Sequence, residues 1–184
     1  YGNAAYPFAR GSGIKIGQSV GGWTRGKENY ICSFTSVLES AVIPSPVVAR
    51  LILAPEFRQP WEIFVNAEGK RFIREDEPSV DTREHALLAQ TNLRCWSIFD
   101  DVILKESPNY VLNTALPDAM PWPKEKVFEA FDTYEFFYKA DTLHELASRT
   151  GVNAGNLKTT IADYNATLSG SDPFGRQHRP KAIE

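Results

Sequence analysis

Residues 61–90, WEIFVNAEGKRFIREDEPSVDTREHALLAQ, constrain the fold more than any other stretch of the chain. Trp61, Ile63 and Val65 alternate with Glu62, Phe64 and Asn66, the period-two pattern of a strand with one apolar side. Ala67-Glu68-Gly69 then turns the chain, because glycine takes positive φ without steric cost. Arg71-Phe72-Ile73 returns as the second arm of a β-hairpin. Arg71 and Glu75 read as a salt-bridged packing pair that stabilises it, and the run Glu75-Asp76-Glu77 as a solvated loop. Asp81-Thr82-Arg83-Glu84 resembles a capping box, which predicts a helix over residues 85–90.

Other elements assemble around this unit. At Gly11 the sequence GSGIKIGQSVGGW opens a short helix with Ile14, Ile16 and Val20 along one side. Gly11, Ser12 and Gly13 with Gly17 have the spacing G-x-G-x-x-x-G. No β-branched strand precedes them and no acidic residue follows about 20 positions later, so this is not a dinucleotide fingerprint. It reads as a glycine turn opening a helix, or as a helix N-terminus whose N–H groups face an anionic or hydroxylated ligand. Residues 30–37 are β-prone, Pro44 and Pro46 break what precedes them, and residues 47–53 fit a helix or a strand equally. Residues 93–99 predict a central strand, and Asp100 caps a short helix over 102–105. Four prolines mark residues 107–123 as a loop. Residues 124–131 predict a helix with Val127, Phe128 and Phe131 on one face, and 135–139 a short strand or extended segment. Asp141 or Thr142 caps a further helix carrying Leu143, Leu146 and Ala147, with Glu145 closing the box and Gly151 ending it. A last helix over 156–168 carries Leu157, Ile161, Tyr164 and Leu168 on one stripe and ends at Gly170, and the tail SDPFGRQHRPKAIE reads as a polar, extended linker. The fold class is α+β: a mixed sheet of four or five short strands with helices packed on it.

Several function classes are excluded. The 184 residues form one ordinary domain with a real core, and a net charge of −3 without a basic patch argues against nucleic acid. No run approaches the roughly 20 apolar residues of a membrane span. Cys32 and Cys95 lie in apolar surroundings and read as buried thiols of a reducing, cytoplasmic compartment, with a disulfide as the alternative. His85, His144 and His178 are far apart and no paired ligand spacing exists, so no metal site is expected. No nucleophile elbow or triad spacing supports a hydrolase. The chain opens at Tyr1 and closes on a polar run, which reads as processing or as a piece of a longer protein.

Five segments then align in order: FVNAEGKRFIRE, LLAQ, the strand ending in IFDD, the pair ADTLHELASRTG and LKTTIADYNATLSG, and DPFGR. Together they resemble the fumarate reductase, flavocytochrome c and 3-ketosteroid dehydrogenase family of FAD-dependent oxidoreductases, and within it the substrate-binding, or capping, domain. The resemblance runs from Gly11 to Arg176. It implies a cap over residues 23–173, with residues 1–22 a remnant of an FAD-domain connection and 174–184 a linker back to a missing FAD domain of the same chain. FAD is expected in the full-length parent and not in this piece, which by itself is expected to be inactive. The implied substrate is a small carboxylate or ketone, steroid-like molecules included. A stand-alone, non-catalytic ligand-binding or interaction domain with the cap fold is the alternative.

The resemblance also points to site residues. Gly11-Ser12-Gly13 stands where the family carries Gly-Asp-Gly, whose aspartate touches the cofactor; serine here keeps a neutral hydroxyl. The family's proton-donating arginine falls in register with residues 79–81, where no arginine occurs, and Arg83 lies one helical turn further on. Arg83 reads as an exposed first-turn residue or as an anion clamp or acid at the flavin face. The substrate-binding histidine falls near residues 32–34, where there is none, and the Thr-Glu pair near Ala54-Pro55, with Glu56 close by. Arg58 matches an arginine that relays protons. These departures make the expected reaction a dehydrogenation or reduction beside a carbonyl or carboxylate rather than true fumarate reduction. His85 reads as exposed, and Tyr164-Asn165 as a packing and helix-to-loop hydrogen-bonding pair.

Overall fold

The computed structural model describes residues 2–3, 10–25, 34, 36–42, 45–51, 58–107, 112–113 and 121–184. Expectations for Cys32, Ala54, Pro55 and Glu56 and for most of the 107–123 loop lie outside these residues. Among them, six strands and six α-helices follow in the order β1 (Gly2–Asn3), α1 (Ser12–Ser19), β2 (Ser36–Leu38), β3 (Ser45–Leu51), β4 (Ile63–Val65), α2 (Val80–Leu88), β5 (Trp96–Ile98), α3 (Asp101–Glu106), β6 (Leu112–Asn113), α4 (Lys124–Thr133), α5 (Leu143–Thr150) and α6 (Ala154–Ala166). The α+β class holds. Among the described residues no helix is long and apolar enough to cross a membrane.

The strands divide into two small sheets. In the first, β3 pairs in parallel with β1 and antiparallel with β2 and β6, so residues 45–51 resolve as strand. In the second, β4 pairs antiparallel with β5, matching Ile63 to Ile98 and Val65 to Trp96. The expected hairpin is therefore mostly a turn. Its return arm contributes one bridge, Val65 to Arg71, on the edge of β4 opposite β5, and the Phe64 N–H on that edge goes to the Glu75 carboxylate instead of a strand partner. The turn itself forms as read. Asn66 N donates to Lys70 O at 3.0 Å, Asn66 Oδ1 accepts from Lys70 N at 3.0 Å, and Gly69 has φ 74°.

β4 is buried on both sides, where alternation predicts one. Ile63 and Val65 pack with Ile98, Ile103, Leu157 and Ile161, whereas Phe64 packs with Phe34, Ile73 and Leu87. The polar side is sealed too, since Glu62 has 0 % exposure. The turn after β4 docks on the start of α6. A Cβ on Gly69 would sit 2.7 Å from Asn153 O and 2.8 Å from Leu157 N, while Asn156 Nδ2 and Thr160 Oγ1 donate to Glu68 O and Gly69 O.

Helix caps follow side-chain chemistry with small shifts. α2 begins a turn earlier than read, because Ser79 rather than Asp81 accepts from Thr82 N. Asp100 caps α3, Thr142 caps α5, Gly151 closes α5 in the left-handed region, and Asn153 caps α6. α4 buries Val127 and Ala130, leaving Phe128 39 % exposed. α6 buries Leu157, Ile161 and Tyr164, with Leu168 at its exposed end. Residues 135–139 form a turn and irregular chain rather than a strand. α1 forms as read, but its residues Ile14 and Ile16 are exposed, as is Val20 beyond it.

The tail has no regular structure, yet it is packed. Arg176 and Ile183 are buried. Asn165 of α6 clamps Ile183 with both amide atoms, donating to its carbonyl at 2.7 Å and accepting from its N–H at 2.9 Å. Tyr164 Oη donates to Lys181 O. The Tyr164-Asn165 pair thus does the helix-to-loop bonding expected of it.

Candidate functional site: a buried charge network beside the tail

Where β4 leaves the chain entering from Arg58, three guanidinia and three carboxylates meet inside the protein. Arg58 holds Glu62 with two bonds, Nη1 to Oε1 at 2.8 Å and Nη2 to Oε2 at 2.5 Å. Arg71 holds Glu75 with two, Nε to Oε1 at 2.8 Å and Nη2 to Oε2 at 2.6 Å. Both pairs have the spacing R-x-x-x-E, and neither lies in a helix. Arg71 also reaches Asp172 at 2.6 Å, and Arg176 reaches Glu75 at 3.1 Å. Glu75 Oε1 accepts a further bond from Phe64 N at 3.1 Å, which ties the network to β4. Rings close it: Arg71 lies 4.9 Å from the Phe174 centroid, and Arg71 and Arg176 each 5.4 Å from that of Tyr164.

Charge balance explains why such burial is tolerated, because an isolated buried ion would cost far more than its contacts return. Burial pushes the Glu62 carboxyl up, but the Arg58 charge and hydrogen bonds outweigh it and hold Glu62 below the usual range. Burial likewise opposes the charges of Arg71 and Asp172; their mutual bonding wins, so Arg71 is raised and Asp172 lowered. Burial raises the Tyr164 phenol and keeps it a donor. His178 is pulled down by burial first and then by Arg176, with Asp76 acting the other way.

The predicted residues fall in different places. Arg58 is buried at 5 % exposure and belongs to the network. Arg83 is also buried, not an exposed first-turn residue, and its Nη1 donates to Glu77 O at 2.7 Å. The loop expected to be solvated is instead held down: Glu75 and Asp76 are buried, and Asp76 Oδ2 accepts from Gln177 N and His178 N. Gly11, Ser12 and Gly13 stand exposed at the start of α1. Gly11 has φ 68°, no side chain among the described residues caps the helix, and a Cβ on Gly11 or Gly13 would meet none of the described residues within 4 Å. His85 is exposed and bonds within its own helix turn to Asp81. Cys95 is a free thiol, half-buried rather than buried as expected.

Sequence reading missed Glu62, Asp172 and Arg176. Glu62 was placed on the outward side of a strand and the other two in a linker. The signals were present: the repeated R-x-x-x-E spacing, and the Asp-Pro-Phe-Gly-Arg run, in which Asp172 Oδ1 accepts from Phe174 N and Arg176 N around Gly175 at φ 77°.

A separate cavity of about 1740 Å³ opens between the two sheets and α4. Phe34, Val37, Phe131 and Phe137 line its apolar wall and Arg50 and Arg94 its basic edge; Ser12, Arg58 and Arg83 are not among its lining residues.

Comparison with known proteins places this architecture. A probable fumarate reductase of Shewanella frigidimarina is 31% identical over 134 residues, 72% of this chain and 20% of the relative. The 4-oxocyclohexanecarboxylate 2-dehydrogenase of Sinomonas cyclohexanicum is 27% identical over 91% of this chain and 27% of its own length. The open conformation of a flavocytochrome c3 fumarate reductase matches 95% of this chain and 26% of its own, at 26% identity and TM-score 0.61. This chain is homologous to one segment of the fumarate reductase and 3-ketosteroid dehydrogenase family of FAD-dependent oxidoreductases. No family profile matches it. It spans about a fifth to a quarter of the length of the curated relatives it matches.

Proposed function

We propose that this chain is the substrate-binding cap of an FAD-dependent oxidoreductase that dehydrogenates or reduces a carbon beside a carbonyl or carboxylate. The observation that carries the reading is the buried Arg58–Glu62 pair, lying within a fold that aligns over 95% of its length with a flavocytochrome fumarate reductase. As a proton relay, the Arg58 guanidinium would give an N–H proton toward the substrate side and regain one through Glu62, so that both groups return to their charged forms. Residues 23–173 form the cap, with 1–22 and 174–184 its connections toward an FAD domain. Gly11, Ser12 and Gly13 would hold part of the FAD through backbone N–H groups and the serine hydroxyl. Bound FAD supplies the two-electron chemistry, exchanging hydride at N5. The cap excludes water from the reacting atoms and supplies polar groups to the substrate.

Arg58 with Glu62 is the proposed proton relay. Arg83 is the proposed acid or anion clamp, in which role its guanidinium exchanges the Glu77 carbonyl for substrate. The substrate class is a small cyclic ketone or carboxylate, in keeping with a relative named for 4-oxocyclohexanecarboxylate and a family that includes ketosteroid dehydrogenases. The test is steady-state turnover of the flavin-loaded parent enzyme with Arg58→Gln and Arg83→Gln against ring ketones and fumarate. Loss of kcat with Arg58→Gln supports the relay; unchanged turnover in both variants refutes these site assignments.

A further inference from the structure

We propose that the C-terminal strap, through Arg176, is the positioning device of the Arg58–Glu62 pair, fixing the backbone from which Glu62 holds Arg58. The inference rests on the reading of Arg58 and Glu62 as a proton relay for its functional meaning, but its structural content stands on its own geometry.

Arg176 is the most deeply buried charged side chain of the tail, at 1 % exposure. Its Nη2 donates to Pro60 O at 2.5 Å and its Nη1 to Glu62 O at 2.7 Å. These two carbonyls bracket Trp61 and Glu62, so one rigid guanidinium grips the peptide units before Trp61 and after Glu62. Glu62 then folds back: its Oε2 accepts from Trp61 N at 3.0 Å as well as from Arg58. The position of the Glu62 carboxylate is thereby tied to the backbone that Arg176 grips. The guanidinium is itself fixed from behind. Nε donates to His178 O at 2.6 Å, Nη1 reaches Glu75, and the Arg176 N–H donates to Asp172 Oδ1 at 3.2 Å. One planar group thus joins the strap, at the His178 carbonyl, to Pro60, Glu62 and Glu75.

Arginine is required by this geometry. Its fork directs N–H bonds at two carbonyls and a carboxylate at once, which an ammonium on a flexible stem cannot reproduce. A neutral packing role would need neither the charge nor the fork. Arg176 does not touch a reacting atom on this reading; it acts through Glu62.

The experiment follows the side-chain N–H signals of Arg58 by ¹⁵N-edited NMR in this chain, assigned by their loss in Arg58→Lys. Arg176→Lys keeps the charge and removes the fork. The expected result is that the Arg58 Nη protons exchange with water about tenfold faster in the folded variant, as a locally loosened pair should. Asp172→Asn serves as the control: it weakens the network while leaving the Pro60 and Glu62 carbonyls in the grip of Arg176, so the Arg58 signals should hold. If Arg176→Lys does not fold, Gly175→Ala replaces it. At φ 77°, with nothing within 4 Å of the new Cβ, it strains the strap only through the backbone. It should shift the Arg58 signals in the same direction. Unmoved Arg58 signals in the folded variant, or equal effects from Asp172→Asn, overturn the proposal. In the flavin-loaded parent, Arg176→Lys should lower kcat with KM held and be non-additive with Arg58→Lys. Faster exchange with Arg58→Lys itself silent in turnover sinks the relay reading and leaves the positioning intact; a loss of turnover on Arg58→Lys without the NMR effect does the reverse.

Discussion

Replacing Glu75 by glutamine tests whether the buried network is held by charge. Glu75 is fully buried and accepts four hydrogen bonds: two from Arg71, one from Arg176 and one from Phe64 N. Glutamine keeps the shape but offers one acceptor oxygen and turns an NH₂ toward guanidinium donors. Three charge-assisted bonds are lost or weakened, and Arg71 and Arg176 face each other with only Asp172 between their charges. Breaking one partner of a buried ion pair costs about 3–5 kcal/mol, a large part of the roughly 5–15 kcal/mol that holds a domain folded. With a urea slope of about 2 kcal/mol/M, the midpoint should fall by about 1.5–2.5 M. Urea unfolding followed by tryptophan fluorescence reads this directly. Lys105→Gln, which removes an exposed i,i+4 pair with Asp101, should shift the midpoint by less than about 0.5 M, since surface pairs contribute roughly 0–1 kcal/mol. A Glu75→Gln loss as small as that of Lys105→Gln would refute the assignment of a buried, charge-held network.

Further perturbations address other links. Gly69→Ala places a Cβ 2.7 Å from Asn153 O at a φ of 74°, and should cost about 1–3 kcal/mol, with hydrogen exchange speeding first at the start of α6. Asn165→Ala removes both bonds to Ile183; limited proteolysis should then cut the tail faster while α6 stays protected. Stability should also fall with acid in two steps. Glu62 and Asp172 sit below their ordinary values of 4.5 and 3.8, so their contribution is full above those values and is lost as pH falls through their folded values. His178 is lowered from 6.5, so the unfolded chain binds its proton first. Its contribution is therefore full above about 6.5 and declines as pH drops from there toward the folded value. Urea midpoints from pH 8 to pH 3 should show both steps, and His178→Gln should remove the upper one; an upper step that persists in that variant assigns it elsewhere.

What was legible in the sequence was local. Caps at Asp100 and Thr142, the glycine stops at 69 and 151, and the stripe Leu157, Ile161 and Tyr164 depend on neighbours within a helical turn or two, and the chain displays them directly. Residue order also carried the family, because five short segments in sequence constrain more than any one of them. That order singled out Arg58, but neither its burial nor its pairing with Glu62.

The undecided parts all depended on distant chain. Which strand would fill the other edge of β4 was settled by β5, which arrives from beyond α2. Whether Glu62 faced water was settled by a tail more than 100 residues away, since Arg176 contacts the carbonyls beside it. A period-two pattern reports which side of a strand is apolar; it cannot report that the polar side will be sealed by opposite charges arriving from elsewhere. The sequence alone therefore determined the α+β elements and the family of the segment. Tertiary structure alone decided that residues 61–90 serve as the floor of a buried ionic network, because Coulomb pairing in a dry interior depends on distance in space and not on separation along the chain.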